Sequence, residues 1–339
     1  MDIGGAQRLV ADLLPVFKKS VDEVSLLVFH RVHNVFEKAL EDAGIEILSL
    51  GTHNRYNPLI LFKMKRVMEN YDIVHVHLFP TLYWAAIANI GIHKSLIYTE
   101  HNTMNKRRNK VYLRPIEKWI YSRYDRIISI SAETQRELTG WLQEKGERYV
   151  TIYNGVDVKR FASIKAEVDK NSLIMVARFA HAKDQETIIR ALPHIKKGVS
   201  VSFVGDGDNI GHCKECANSI GVIDRVNFLG LRSDVAELIA SSYIGIQSSK
   251  WEGFGLTAVE IMACSKPIIA TEVDGLKQIV EGAGILFPVG DEISLAKVIN
   301  KLLSDSDYYA EVAKKCRKRA NNYDISIMAD NYLAEYHAL

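Results

Sequence analysis

An α/β protein of two domains, each a parallel sheet covered by helices on both faces, is predicted by three observations. Short β-branched runs alternate with helical runs along most of the chain. The alternation stops once and starts again. The 339 residues are enough for two domains of ordinary size.

In the first half, Gly4-Gly5-Ala6 leads directly into an amphipathic pattern with Leu9, Val10, Leu13, Leu14 and Phe17 at helical spacing. Strands are predicted at 24–29, 45–50, 73–77, 95–99, 126–130 and 149–152, and helices at 35–43, 58–70, 81–90, 111–124 and 133–145. The polar stretch 154–170 interrupts the pattern and marks a domain boundary. Beyond it, strands are predicted at 173–177, 199–204, 226–229, 244–247, 267–270 and 284–286. The helices between them begin near Asp184, Asn209, Asp234, Gly255, Leu276 and Ile293. Charged helical segments at 307–321 and 325–338 have no strand after them. The expected domains are therefore 1–155 and 156–321, with a terminal helix, 322–339, packing back on the first domain. Doubly wound domains of this kind bind ligands outside the carboxyl ends of their strands, so a ligand is expected in a cleft between the two.

Composition narrows the function. With 47% hydrophobic and 25% charged residues the chain reads as a globular protein, and a net charge of +2 gives no reason to expect nucleic acid. No apolar stretch approaches the roughly 20 residues that span a bilayer. Met1-Asp2-Ile3-Gly4-Gly5 lacks the basic start and apolar core of a signal peptide, so a cytoplasmic location is expected. Cys213, Cys216, Cys264 and Cys316 are expected to be reduced thiols. The single Cys213-Lys214-Glu215-Cys216 pair, with His212 beside it, falls short of a zinc ligand set, and no metal or cofactor is expected.

The chemistry concentrates in Glu252-Gly253-Phe254-Gly255-Leu256-Thr257-Ala258-Val259-Glu260. Glu252 lies on the loop leaving a strand, and Glu260 about two turns into the next helix. The glycines let backbone approach a ligand, and a helix start offers unpaired N–H groups to an anion. Carboxylates accept hydrogen bonds and repel phosphate, so Glu252 and Glu260 suit hydroxyls, as on a sugar. Cations for a diphosphate come from Arg178 and Lys183 on one strand-to-helix loop. Gly205-Asp206-Gly207 and Asn154-Gly155-Val156-Asp157 read as turns by composition.

Order and spacing together resemble a family. Arg178…Lys183, Gly205-Asp206-Gly207, Phe228-Leu229-Gly230 and Glu252-Gly253-Phe254-Gly255…Glu260 are similar to the donor-domain signature of the retaining glycosyltransferases of family 4. Asn154-Gly155-Val156-Asp157 with Phe161, and Thr271-Glu272-Val273-Asp274-Gly275-Leu276, resemble two further family segments. The resemblance implies the GT-B architecture, two Rossmann-like doubly wound domains facing across a cleft. It implies transfer of a sugar from a nucleotide-sugar, with UDP the expected nucleotide, to a saccharide or lipid-linked saccharide hydroxyl in surface polysaccharide biosynthesis. Carried over, Arg178 and Lys183 neutralise the diphosphate, Glu252 holds the transferred sugar, Glu260 the ribose, and His101 faces the sugar. Gly205 and Gly207, Gly253, Phe254, Gly255 and Leu256, and from the other domain Gly4 and Gly5, complete the donor site. The reaction implied needs no metal. The family's opening strand, before its glycine loop, has no counterpart here, and Gln278 stands where the family commonly has Glu. Two alternatives share the donor site: a hydrolysing sugar-nucleotide epimerase, and a non-catalytic nucleotide-sugar-binding subunit.

Between Lys106 and Arg126 stand eight basic residues against Glu117 and Asp125, with Tyr112, Ile116, Trp119 and Tyr124 interleaved. Read as one basic, aromatic-bearing helix, 106–126 predicts peripheral contact with an anionic membrane surface, at the inner face, near a lipid-linked acceptor. The plain alternative is a surface helix with its apolar side in the core.

Overall fold

The computed structural model describes residues 5–103 and 105–339. Within them the alternation read from the sequence becomes two units, one running to Gly155 and taking in Ile325–Leu339, the other Val156–Asp324. The sequence breaks at 155/156 and 321/322 thus compare with divisions after Gly155 and after Asp324.

The first unit runs α1 (Gly5–Phe17), β1 (Ser25–Val28), α2 (Val35–Asp42), β2 (Glu46–Ser49), α3 (Ile60–Met68), β3 (Ile73–His77), α4 (Thr81–Ala88), β4 (Ser95–Glu100), α5 (Arg114–Tyr121), β5 (Arg126–Ser129), α6 (Ala132–Leu142) and β6 (Tyr149–Thr151). Its strands are parallel but fall into two sheets, β1-β2 and β3-β4-β5-β6. Leu27 and Phe29 nevertheless pack on the core beneath the larger sheet, where Leu82, Leu96, Tyr98, Ile127 and Leu138 are buried. Tyr71 also donates to Ser25 Oγ at 2.8 Å.

The second unit runs α7 (Val158–Ser163), β7 (Asp169–Val176), α8 (Gln185–Ala191), β8 (Ser200–Val204), α9 (Ile210–Ile220), β9 (Val226–Gly230), α10 (Val235–Ser241), β10 (Ser242–Gln247), α11 (Leu256–Ala263), β11 (Ile268–Thr271), α12 (Asp274–Val280), β12 (Ile285–Phe287), α13 (Glu292–Ser304) and α14 (Ser306–Ala320). One continuous parallel sheet has the order β12-β11-β10-β7-β8-β9. Numbered within the unit, that is the Rossmann order, and the strand order reverses between β7 and β10. Both faces are covered, which is why Ile268-Ile269-Ala270-Thr271 is buried at every position rather than alternating. The last helix, α15 (Ile325–His337), returns to the first unit: Phe17 of α1 meets Tyr332 edge-on at 6.2 Å and Tyr336 at 5.5 Å.

Two local expectations need correction. The polar stretch 154–170 does not simply interrupt the pattern, because it holds α7 and the start of β7: Asp157 caps α7, accepting from Arg160 N at 2.9 Å, and Phe161 is buried. The helix expected at 111–124 is shorter, with two 3₁₀ turns (Lys106–Asn109 and Val111–Leu113) before α5. Pro115 explains the late start, since proline's fixed φ and missing N–H suit the first turn of a helix.

Candidate functional site

At the reversal point of the second sheet, the loops leaving β7 and β10 lie side by side. The β7 loop carries Arg178 and, on the 3₁₀ turn His181–Lys183, Lys183. It is latched in place by its neighbour. Ser248 Oγ donates to Lys183 O (3.1 Å) and Asp184 O (2.9 Å), and Lys250 N donates to Ala182 O at 2.8 Å. Gln185 Nε2 donates to Arg178 O at 3.0 Å. With its stem fixed, Lys183 forms an ion pair with Glu252 of the β10 loop. The two side chains are 24% and 18% exposed, so the pair is sheltered yet reachable. Arg178 is a different case: at 71% exposure it stands 3.8 Å from the open Asp208, a surface contact worth little.

The glycines have separable reasons. A Cβ on Gly205 would lie 2.2 Å from Ala177 O, and one on Gly207 2.2 Å from Phe179 O. Both residues have positive φ, so the Gly205-Asp206-Gly207 turn needs glycine in order to cross the Arg178 loop, whatever binds beside it. Gly275 likewise leaves no room for a Cβ, 2.1 Å from Glu252 O, and so seats the Glu252 loop on α12. Gly255, at φ +90°, precedes α11 and has no side chain to cap it, so the N–H groups of Leu256 and Thr257 at the helix start receive no side-chain cap. Leu256 begins the helix and Glu260, only 4% exposed, lies one turn further. Phe254 turns inward, buried and edge-on to Tyr323 at 5.5 Å, so only its backbone can meet a ligand.

The remaining predicted residues belong to the first unit. Gly4 lies outside the described residues, and Gly5 is the first residue of α1. His101 follows β4 and joins a cluster the sequence reading missed. His77 Nδ1 and His101 Nε2 are 2.9 Å apart, and the His75 and His77 ring centroids are 4.2 Å apart with the planes tilted by 31°. His75 spans Tyr336 Oη (2.6 Å from Nδ1) and Thr99 Oγ1 (2.7 Å from Nε2), which ties α15 to the sheet. Burial pushes the His75 ring down to about 3 and His101 to about 4, and holds His77 well below the usual imidazole range. The available signal was His75-Val76-His77 itself: alternation in a strand puts both rings on one face. Ser131, the other loop residue suggested by the resemblance, caps α6 through Thr134 N at 3.1 Å.

The basic stretch 106–126 is not a free cationic face. Arg107 donates to Glu117 at 2.7 Å and Arg108 to Glu100 at 3.0 Å, both acids buried. Arg114 lies over Trp141 at 4.8 Å, Arg123 over Trp119 at 4.6 Å, and Arg126 reaches Glu335 at 2.7 Å. Glu117 also receives Tyr83 Oη (2.8 Å) and Trp141 Nε1 (2.7 Å), anchoring the stretch to α4 and α6. Beside the exposed Lys110, Arg123 and Asp125, it also exposes an apolar group: Val111, Tyr112, Ile116 and Trp119.

Among the described residues, no group of three or more His, Cys, Asp or Glu side chains is arranged to hold a metal ion, and the four cysteines are free thiols. No helix there is long and apolar enough to cross a membrane.

Two Rossmann-like units in one chain, the second with cations and a carboxylate at its switch point, define the GT-B class of protein. The sequence model described as Glycosyl transferases group 1 matches residues 158–322, and that of Glycosyltransferase Family 4 matches residues 3–160. The chain belongs to this family and is a glycosyltransferase. It is 28% identical over 282 residues to N-acetyl-alpha-D-glucosaminyl L-malate synthase of Bacillus anthracis, covering 78% of this chain and 74% of that one. A Campylobacter jejuni alpha-1,4-N-acetyl-D-galactosaminyltransferase, acting on a diNAcBac-PP-undecaprenol-linked saccharide by its name, is 22% identical over 98% of this chain and 95% of its own. The structure of Anabaena HepE in complex with UDP and glucose superposes with a TM-score of 0.87 at 22% identity, covering 99% of this chain and 96% of that chain.

Proposed function

We propose that this glycosyltransferase moves a hexosyl or N-acetylhexosaminyl group from a UDP-sugar to a hydroxyl of a lipid-linked saccharide, with retention, in the building of a surface polysaccharide. The observation that carries the reading is the Lys183–Glu252 pair at the switch point, beside Arg178 and the uncapped start of α11. A diphosphate entering there takes Lys183 from Glu252, and the freed carboxylate turns to sugar hydroxyls. Arg178 adds the second cation, the first-turn N–H groups of α11 add dipoles, and Glu260 takes the ribose hydroxyls. As the glycosidic bond breaks, negative charge grows on the departing phosphate, where Lys183 and Arg178 already stand, so the protein supplies the stabilisation. The acceptor hydroxyl attacks on the face the nucleotide leaves, and its proton passes to the departing phosphate oxygen. His101 is assigned to the sugar side of the donor. The UDP ligand of Anabaena HepE and the N-acetylhexosaminyl names of two relatives support the choice of donor.

The test is a panel of UDP- and GDP-sugars, reading nucleotide release with and without undecaprenyl-linked saccharide. Release from a UDP-sugar that rises with acceptor supports transfer. Equal release without acceptor points to the hydrolysing epimerase, and no binding of any donor removes the reading.

The acceptor side rests on the exposed apolar group of Val111, Tyr112, Ile116 and Trp119, with Lys110 and Lys118 on the same segment. Such a group fits shallow insertion between anionic headgroups. Phosphatidylglycerol vesicles should sediment the protein and phosphatidylcholine vesicles should not. The double substitution Tyr112→Ser with Ile116→Ser should weaken that binding about tenfold or more, from the apolar burial it removes. Absence of salt-sensitive sedimentation would discard membrane contact.

A further inference from the structure

We propose that His77 is a positioning residue that sets the tautomer of His101, and so decides which hydrogen-bonding character His101 presents to the donor sugar. The inference rests on the reading of His101 given above and adds a residue to it.

His77 ends β3 and stands in register with Thr99 of β4, so His101, two residues past Thr99, emerges from the same face of the sheet. The rings meet nitrogen to nitrogen, His77 Nδ1 against His101 Nε2 at 2.9 Å. That distance requires one hydrogen between them. Burial disfavours the imidazolium in both rings, so both are neutral near pH 7. A neutral imidazole carries one N–H, hence one ring donates and the other accepts. The contact therefore ties the His101 tautomer to that of His77: when Nε2 donates, Nδ1 accepts, and when Nε2 accepts, Nδ1 carries the hydrogen, and Nδ1 is the nitrogen left to meet a ligand. In an isolated histidine the two tautomers interconvert, and half of the needed geometry would be lost each time.

His77 is itself held. His75 lies against it, ring centroids 4.2 Å apart, and is clamped between Thr99 Oγ1 and Tyr336 Oη, and Thr99 Oγ1 also meets Tyr332 Oη at 3.2 Å. The column from Tyr336 and Tyr332 through His75 to His77 makes α15 the outer support of the His101 ring. Three polar rings in a partly buried position are costly to keep for packing alone, since apolar side chains would fill the same space without unmet hydrogen bonds.

The experiment uses the full chain in three variants, His101→Ala, His77→Phe and His77→Asn. Phenylalanine keeps the ring shape and removes the nitrogen. Asparagine returns an amide, able to donate or accept, to the place of Nδ1. Long-range ¹⁵N–¹H spectra read the His101 tautomer without any donor: one tautomer is expected in the native chain and in His77→Asn, and a mixture in His77→Phe. Turnover is read as UDP release from UDP-glucose and UDP-N-acetylglucosamine. His77→Phe should lower kcat about tenfold or more, on the scale seen when a histidine loses its orienting partner, with donor KM within about twofold. His77→Asn should recover most of the loss. A His101 tautomer unchanged in His77→Phe, or a kcat loss that His77→Asn fails to recover, overturns the role of His77. If His101→Ala itself turns over normally, the assignment of His101 to the donor site falls, and the earlier reading is corrected at that point.

Discussion

Lys183→Ala is expected to lower turnover by about a hundred- to a thousandfold, the range for removing one preorganised group that faces growing negative charge. The loss should appear in kcat and in donor affinity together, because the same ammonium meets the diphosphate before and during bond breakage. Stability should change little, since the latch that holds the loop, Ser248 on the carbonyls of Lys183 and Asp184, needs no Lys183 side chain. Arg178→Ala is the matched comparison. Its guanidinium is in solvent, so its removal should leave unfolding within about 0.5 kcal/mol of the native chain while still reducing turnover. Steady-state nucleotide release and denaturant melts on both variants check this. Native turnover in Lys183→Ala would show that the diphosphate binds elsewhere.

Acid should unfold the first unit earlier than its carboxylates alone dictate. His75, His77 and His101 have pKa values depressed by burial, to about 3 for His75 and about 4 for His101. An unfolded imidazole titrates near 6.5, so between that pH and the folded values the unfolded chain binds more protons. The stability these rings contribute is thus complete above about pH 6.5 and falls as pH drops toward 4. At pH 5 the linkage is about 2 kcal/mol for one such histidine, with about 6 kcal/mol as the ceiling if all three count fully. Glu37, held down to about 2 chiefly against its own burial by hydrogen bonds including those from Arg31, Val32 and His33, loses its contribution only below the usual carboxylate range. Glu100, whose carboxyl burial pushes up from its usual range, titrates with the opposite sign, so the window from pH 6.5 to 5 reads the histidines net of it. Urea titrations across it should show the midpoint falling, and His75→Phe should flatten the slope even if it lowers the stability at pH 8. A flat profile in the native chain would mean the rings titrate as in water.

Much of this was legible in the sequence because it is local. The strand-and-helix alternation follows from side-chain periodicity, and Arg178, Lys183, Glu252 and Glu260 stand where a strand gives way to a loop and a helix. The glycine before α11 is punctuation of the same kind. What was not legible depends on which strands become neighbours. Lys183 meets Glu252 only because β7 lies beside β10, a pairing that no periodicity encodes. Arg107, Arg108 and Arg114 looked like surface charge because Glu117, Glu100 and Trp141 reach them through the fold. His77 went unnoticed because β3 reads as an ordinary half-buried strand until β4 brings His101 to its end.

The division of the first unit's strands into two sheets has a consequence for how the molecule breathes. Among the described residues β1 and β2 pair only with each other and β3 pairs only with β4, so one flank of β1, of β2 and of β3 carries amides and carbonyls that no ladder satisfies. Such amides exchange with solvent through small openings, and such flanks are templates for any extended peptide that comes near. The six-stranded sheet of the second unit has no interior seam of this sort. Deuterium should therefore enter along the edge strands β1, β2, β3 and β6 before the interior strands β7 and β10, and crowding or overexpression should fail this protein by strand addition at the open edges of the two smaller sheets, on the half that holds His75, His77 and His101.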